Sequence, residues 1–179
     1  MRLPSLTALA LALALSTPAC EEPEIDAGPA TGVTLTASYA HLSRCNQMMQ
    51  FASLSFTVVL ENTGTEAAIV APTLALETDA VTADGAAAAL GTAELPASLT
   101  LAPGQKLRFQ CTPANLALRW PDDPQAPVAL DLDGAFTTTN HPQPGALTAS
   151  APLLVVEAFD SCDTFAPTPG PCVAIPLAE

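Results

Sequence analysis

Apolar residues in this chain recur at every second position, and that rhythm limits the fold more than any other feature. Leu54, Phe56, Val58 and Leu60 fall on one side of an extended chain, and Ser53, Ser55, Thr57 and Glu61 on the other. A period of two is the pleat of a strand with one buried face. The pattern returns in Val33, Leu35, Ala37 and Tyr39, set against Thr34, Thr36 and Ser38. It returns again in Val70, Leu74 and Leu76, in Leu99 and Leu101, and in Leu107, Phe109 and Cys111. Val128, Leu130 and Leu132 alternate with Asp131 and Asp133, and a last strand is expected near Leu153 to Phe159. Asn62-Thr63-Gly64, Asp84-Gly85, Pro103-Gly104 and the stretch from Thr139 to Gly145 supply turns between the runs. No long stretch of the body has helical periodicity. Seven or eight short strands with this punctuation predict an all-β fold, a single antiparallel β-sandwich.

The first twenty residues read differently. Arg2 is followed by an apolar run from Leu6 to Leu15 and then by Ser16-Thr17-Pro18-Ala19, the layout of a secretory signal. Ten residues are about half of what spans a bilayer as a helix. No later segment is long and apolar enough to serve as a membrane anchor.

Thr17-Pro18-Ala19-Cys20 resembles a bacterial lipobox, in which the Cys becomes the lipid-bearing first residue. It departs from the usual pattern at Thr17, where Leu is common, and at Pro18. The Cys stands directly after the apolar run, and the polar, Pro-containing stretch from Glu21 to Pro29 suits a tether. The resemblance implies a lipidated Cys20, with acyl chains contributing about 0.8 kcal/mol per buried CH₂. An ordinary signal cut near Cys20 is the alternative. The expected organisation is a signal peptide over 1–19, a tether over 20–32, the sandwich over 33–160 and a stapled tail over 161–179. Glu21 lacks the Asp linked with inner-membrane retention, which favours the outer membrane. A free periplasmic or secreted protein is the alternative.

Setting Cys20 aside leaves Cys45, Cys111, Cys162 and Cys172, an even number that suits two disulfides in an exported protein. Three pairings exist. Cys45–Cys111 with Cys162–Cys172 is the one expected, because the short Pro-rich segment between Cys162 and Cys172 lets its ends meet. Such a staple would contribute about 2–3 kcal/mol.

Phe56-Thr57-Val58-Val59-Leu60-Glu61-Asn62-Thr63-Gly64-Thr65, followed by Leu99-Thr100-Leu101-Ala102-Pro103-Gly104-Gln105, resembles bacterial immunoglobulin-like domains of the CARDB cell-adhesion type. In those, one strand ends in an Asn-x-Gly turn and a later Pro-Gly turn leads into a strand that crosses the sandwich. The likeness runs from about Val33 to Asp160. It implies an immunoglobulin-like fold and names no ligand. The segment from Thr112 to Pro127, with Trp120, has no counterpart in it.

Charge narrows the function classes. The net charge is −13, and the body has four cations, Arg44, Lys106, Arg108 and Arg119. Four scattered cations make no phosphate-binding patch, so no nucleic-acid partner is expected. Aromatic residues are 4% of the chain, too few for platforms that stack sugars or bases.

Several residue types could carry chemistry. His41, Cys45, Met48 and Met49 offer soft ligands for Cu(I), and a periplasmic copper-binding protein is the alternative function. Against it, Cys45 completes the even cysteine count, and methionines commonly fill cores. Asp131 and Asp133, with Asp122 and Asp123, offer oxygen ligands for Ca²⁺, but their spacing matches no calcium loop and solvated carboxylates are the simpler reading. His41 and His141 are the only imidazoles, and no Gly-x-Ser-x-Gly elbow is present. An uncharacterised secreted hydrolase is the second alternative. Trp120 or Phe136 could anchor a protein partner in the envelope. The expected function is therefore a non-enzymatic envelope lipoprotein, a binding or structural module with no cofactor. Its partners would be the membrane, through lipid, and an envelope protein.

Overall fold

The computed structural model describes residues 28–45, 52–81, 87–114, 116, 129–158 and 170–177. Ten strands and no helix make up the described chain. They are β1 (Val33–Cys45), β2 (Ala52–Asn62), β3 (Ala68–Val70), β4 (Thr73–Val81), β5 (Ala87–Glu94), β6 (Thr100–Leu101), β7 (Lys106–Thr112), β8 (Ala129–Thr138), β9 (Gly145–Ala158) and β10 (Gly170–Ile175).

The strands form one ladder in the order β10-β7-β2-β1-β9-β8-β3-β6, with β4 also beside β8 and β5 beyond β4. β3 and β4 line the same edge of β8: Ala68–Val70 faces Phe136–Thr138, and Ala75–Thr78 faces Leu130–Asp133. Between them lies Ala71-Pro72, where proline has no N–H to give a ladder. Ala71 N still donates to Ala135 O at 2.8 Å, which keeps the broken strand on its neighbour.

β9 joins the two halves of the sheet. Gly145–Pro152 pairs antiparallel with β8, whereas Leu153–Ala158 pairs parallel with β1. The sheet curls about this strand, bringing β5 near β7 and β10. The inward faces share one apolar core that includes Leu42, Leu54, Phe56, Leu60, Leu74, Leu101, Phe109, Leu130 and Leu147.

The all-β expectation holds, and so does most of the facing. Leu54, Phe56, Val58 and Leu60 are fully buried, and Leu74, Leu76, Leu130 and Leu132 nearly so. Three details differ from the sequence reading. First, the sheet is mixed, because β1 and β9 run parallel. Alternation says which side chains face inward and is silent on which strands are neighbours. Second, the described residues form ten strands rather than seven or eight, and the tail supplies one of them. β10 adds to β7 as an edge strand, so ordered sheet extends past Asp160. β9 also starts well before Leu153.

Third, Tyr39 does not face the core. Ser38 lies opposite Thr57 and His41 opposite Ser55, so one extra residue is inserted into β1 at this point. Such a bulge moves every later side chain to the other face. Val33 and Leu35 point inward before it, Ala40 and Leu42 after it. Tyr39 takes up the shift, with φ of 53° and 71% of its surface exposed.

Candidate functional site

The two ends of the body differ in how the chain turns. At one end, called here the turn end, the chain arrives at Gly28–Gly32, and short turns join β2 to β3, β6 to β7, and β8 to β9. At the opposite, loop end stand the end of β1, the start of β2, the end of β7, the end of β9 and the start of β10. β4, β5 and β8 meet there as well, since β9 runs the length of the body beside both β8 and β1. The connections over 46–51, 82–86, 113–128 and 159–169 all leave from strand ends on this side.

Asn62 organises the turn end. It is the last residue of β2 and 1% exposed. Its Nδ2 donates to Glu66 O at 2.7 Å and to Leu101 O at 2.9 Å. Its Oδ1 accepts from Gly64 N at 2.9 Å. Its own N–H donates to Gln105 O at 2.9 Å, and its carbonyl accepts from Gly104 N at 2.8 Å. The Asn-Thr-Gly and Pro-Gly-Gln turns, separate in sequence, are thus held together through one residue. Gln105 closes its own turn by accepting from Ala102 N at 2.8 Å.

The arriving N-terminal chain locks into the same place. Thr63 N and Gly64 N both donate to Gly32 O, at 2.7 and 3.1 Å. Gly32 has φ of 97°, and a Cβ there would lie 2.8 Å from Gly64 Cα, so only glycine fits. Ala30 N donates to Gln143 O at 3.0 Å and ties the chain to the β8–β9 turn.

A polar cluster continues the turn end outward. Asn140 Nδ2 donates to Glu66 Oε1, and Asn140 N donates to Oε2 at 3.3 Å. Hydrogen bonds from the Asn140 and Thr138 side chains hold the Glu66 carboxyl below its ordinary pKa, with a smaller contribution from His141. Thr138 Oγ1 lies 3.2 Å from His141 Nδ1, and Glu66 Oε2 lies 3.9 Å from the same nitrogen. A catalytic triad places its hydroxyl and its carboxylate on opposite ring nitrogens. Here both face Nδ1, which is not that arrangement, and the contacts tie Glu66 to the β8–β9 turn.

At the loop end the main described feature is covalent. Cys111 of β7 and Cys172 of β10 are joined by a disulfide, and both are buried. This corrects the expected pairing. Val173 lies opposite Gln110 in the β10–β7 ladder, which puts Cys172 directly across from Cys111. The tail enters the sheet as a strand, so its cysteine meets a neighbouring strand instead of closing a short loop on Cys162.

The remaining sequence candidates are dispersed. His41 is half-buried on the outer face of β1, level with Ser55 and Leu154. Cys45 ends the backbone of β1. Cys20, Met48, Met49, Trp120, Asp122, Asp123 and Cys162 lie outside the described residues, as does the side chain of Cys45. Asp131 and Asp133 do face outward, as their spacing predicts, and line a shallow depression of about 450 Å³ with Thr148 and Ser150. Glu77 stands beside Asp131 on β4. No group of three His, Cys, Asp or Glu side chains able to hold a metal occurs among the described residues. Phe136 is in the core, against Gly145, and is not a surface anchor.

No family model and no curated protein matches the chain. Solved structures give partial likenesses. The Northeast Structural Genomics Consortium target SoR45 is 11% identical, with 65% of this chain and 81% of that one covered and a TM-score of 0.45. A Bordetella pertussis protein described as ApaA is 12% identical, with 69% and 93% covered and a TM-score of 0.39. The Pseudomonas fluorescens alkylpurine DNA glycosylase AlkC, bound to DNA with an abasic-site analogue, is 14% identical, with 70% and 32% covered and a TM-score of 0.36. At these scores none of them speaks to fold or activity here.

Sequence reasoning missed two elements of the site. The Asn-Thr-Gly pattern marks Asn62 as a turn residue and not as a buried hub. The available signal was an Asn placed directly after four alternating apolar residues, where a polar side chain inherits a buried position. Glu66 with Asn140 and His141 left no signal, since the residues are 74 positions apart and meet only through topology.

Proposed function

We propose that this chain is an exported lipoprotein of the bacterial envelope, tethered through Cys20 to the outer membrane. Its body acts as a non-enzymatic binding or structural module with an immunoglobulin-like arrangement of strands. The observation that carries this reading is the polarity of the body. The N-terminal chain joins the turn end, and the long connections leave from the opposite end. The tether from Cys20 to Gly28 reaches at most about 30 Å. A lipid at Cys20 therefore holds the turn end toward the membrane and presents the loop end to the surroundings, where binding loops on a rigid scaffold are normally carried.

Two further facts support it. A buried disulfide suits an oxidising compartment. The meeting of the Asn-x-Gly and Pro-Gly turns at Asn62 gives a physical reason for the two signatures shared with adhesion-type domains. Metabolic labelling with a palmitate analogue tests the anchor. Wild type should carry label and fractionate with outer membrane, and Cys20→Ser should lose both. A Cys20→Ser protein that labels like wild type overturns the proposal.

A further inference from the structure

We infer that two copies of this chain associate through the outer face of β10, β7, β2 and β1, centred on Tyr39. Strand register lays that face out in rows. Ser38, Thr57, Gln110 and Val173 run across β1, β2, β7 and β10, and Thr36, Val59, Arg108 and Ile175 run beside them. On the other side of Tyr39, Ser55, His41 and Leu154 continue across β2, β1 and β9. Tyr39, Val173 and Leu154 are 71%, 63% and 55% exposed. The bulge in β1 turns Tyr39 outward, at φ of 53°, where an unbroken alternation would bury it. The strand gives up regular backbone to display a tyrosine, a residue type that often anchors interfaces, in the middle of the face.

Charge decides the occupant. Among the described residues, Glu77, Asp79, Glu94, Asp131 and Asp133 stand on β4, β5 and β8, and those strands carry no Lys or Arg. The face around Tyr39 has the opposite character. Its one described carboxylate, Glu61, is paired with Lys106 at 3.0 Å toward the turn end, and Arg108 is the remaining described cation. The other side chains in the rows are serine, threonine, glutamine, histidine and aliphatic residues. A cationic partner would seek the carboxylates on the other half of the sheet, and an acidic partner would find Arg108 alone. Two chains of net charge −13 repel wherever their carboxylates meet. This face spares them that encounter, so a second copy fits it.

Size agrees with that occupant. The five strands from β10 to β9 span about 20 Å, and six residues of each reach about 20 Å along the strand. With side-chain relief, two such faces bury on the order of 1,000 Å², the lower limit for a specific interface. The pair should therefore be reversible, with a Kd of about 10 μM. A two-fold axis near Tyr39 lets one patch pair with itself and closes the assembly at two copies. The sheet edges offer no competing route. β5 is broken by a bulge at Gly91, and β10 carries Pro171 and is followed by Pro176. The inference does not depend on lipid at Cys20.

Sedimentation velocity of the exported Cys20→Ser chain, which carries no lipid, tests it over a concentration series. A monomer–dimer equilibrium in the micromolar range is expected. It should tighten with added salt, which screens repulsion between the outlying carboxylates. Leu154→Asp and Ile69→Asp place a charge at side chains of equal exposure, 55% each, on opposite halves of the sheet. Leu154→Asp should weaken the dimer about tenfold, because two added carboxylates then face the interface. Tyr39→Asn, which tolerates the left-handed backbone, should weaken it as well. Ile69→Asp should leave it unchanged. The wild-type series and its salt response stand even if a variant fails to fold. A wild-type chain that stays monomeric at about 200 μM overturns the inference. So does a dimer that Ile69→Asp weakens as much as Leu154→Asp, or one that salt dissociates, as stacking of cations on carboxylates would require.

Discussion

The turn end and the loop end of this molecule are held by different means. At the turn end, Asn62, Gly32 and Gln105 fasten short connections with a dense set of backbone and amide hydrogen bonds, and no cysteine is needed. At the loop end the connections are long, and a buried disulfide fastens the edge strand β10 to β7. Short turns lose little entropy and can be held by hydrogen bonds. A distant tail returning to the sheet loses more, and a covalent tie offsets that loss. The difference also assigns roles, since the end built of tight turns is the one the N-terminal chain joins.

Removing the covalent tie gives the largest expected effect. Cys111 and Cys172 are 61 residues apart, and closing a loop of that length contributes about 4 kcal/mol on the chain-entropy model. A Cys111→Ser, Cys172→Ser double variant should show that loss in urea unfolding, with Tm lower by roughly 10 °C. An unchanged midpoint would mean that β10 holds its place without the bond.

Asn62→Ala attacks the other end. It leaves Leu101 O, Glu66 O and Gly64 N without their side-chain partner, at a cost of about 3 kcal/mol in all. Asn62→Asp keeps the acceptor for Gly64 but sets a buried carboxylate oxygen against Leu101 O and Glu66 O, so near neutral pH it should be no more stable than alanine. Equal stability of the three proteins would show that the two turns hold each other without the amide.

The smallest effect is a pH dependence. Glu66 titrates lower in the folded chain than in the unfolded one, so its contribution is full above its unfolded pKa and is lost as pH falls through the folded value. Wild type should therefore lose more stability than Glu66→Gln between about pH 6 and pH 3. Parallel acid-denaturation curves for the two would remove Glu66 from the clamp on the β8–β9 turn.

The strand faces were legible because burial on one side of a pleat leaves a mark every second residue. The runs through Phe56, Phe109 and Leu130 were read correctly for that reason. Tyr39 was misplaced because a bulge changes the phase without changing the composition. The parallel β1–β9 pair and the Cys111–Cys172 bridge depend on which strands lie side by side, and local pattern carries no such information. The hydrogen bond between Glu66 and Asn140 was out of reach for the same reason.

Hydrogen exchange, followed by mass spectrometry with and without a thiol reductant, tests the two-ended account most directly. The account predicts that reduction releases amides of β10 and of β7 near Cys111, while those around Asn62, Gly64 and Gly104 stay protected. Equal loss of protection at both ends, or none at β10, would contradict it.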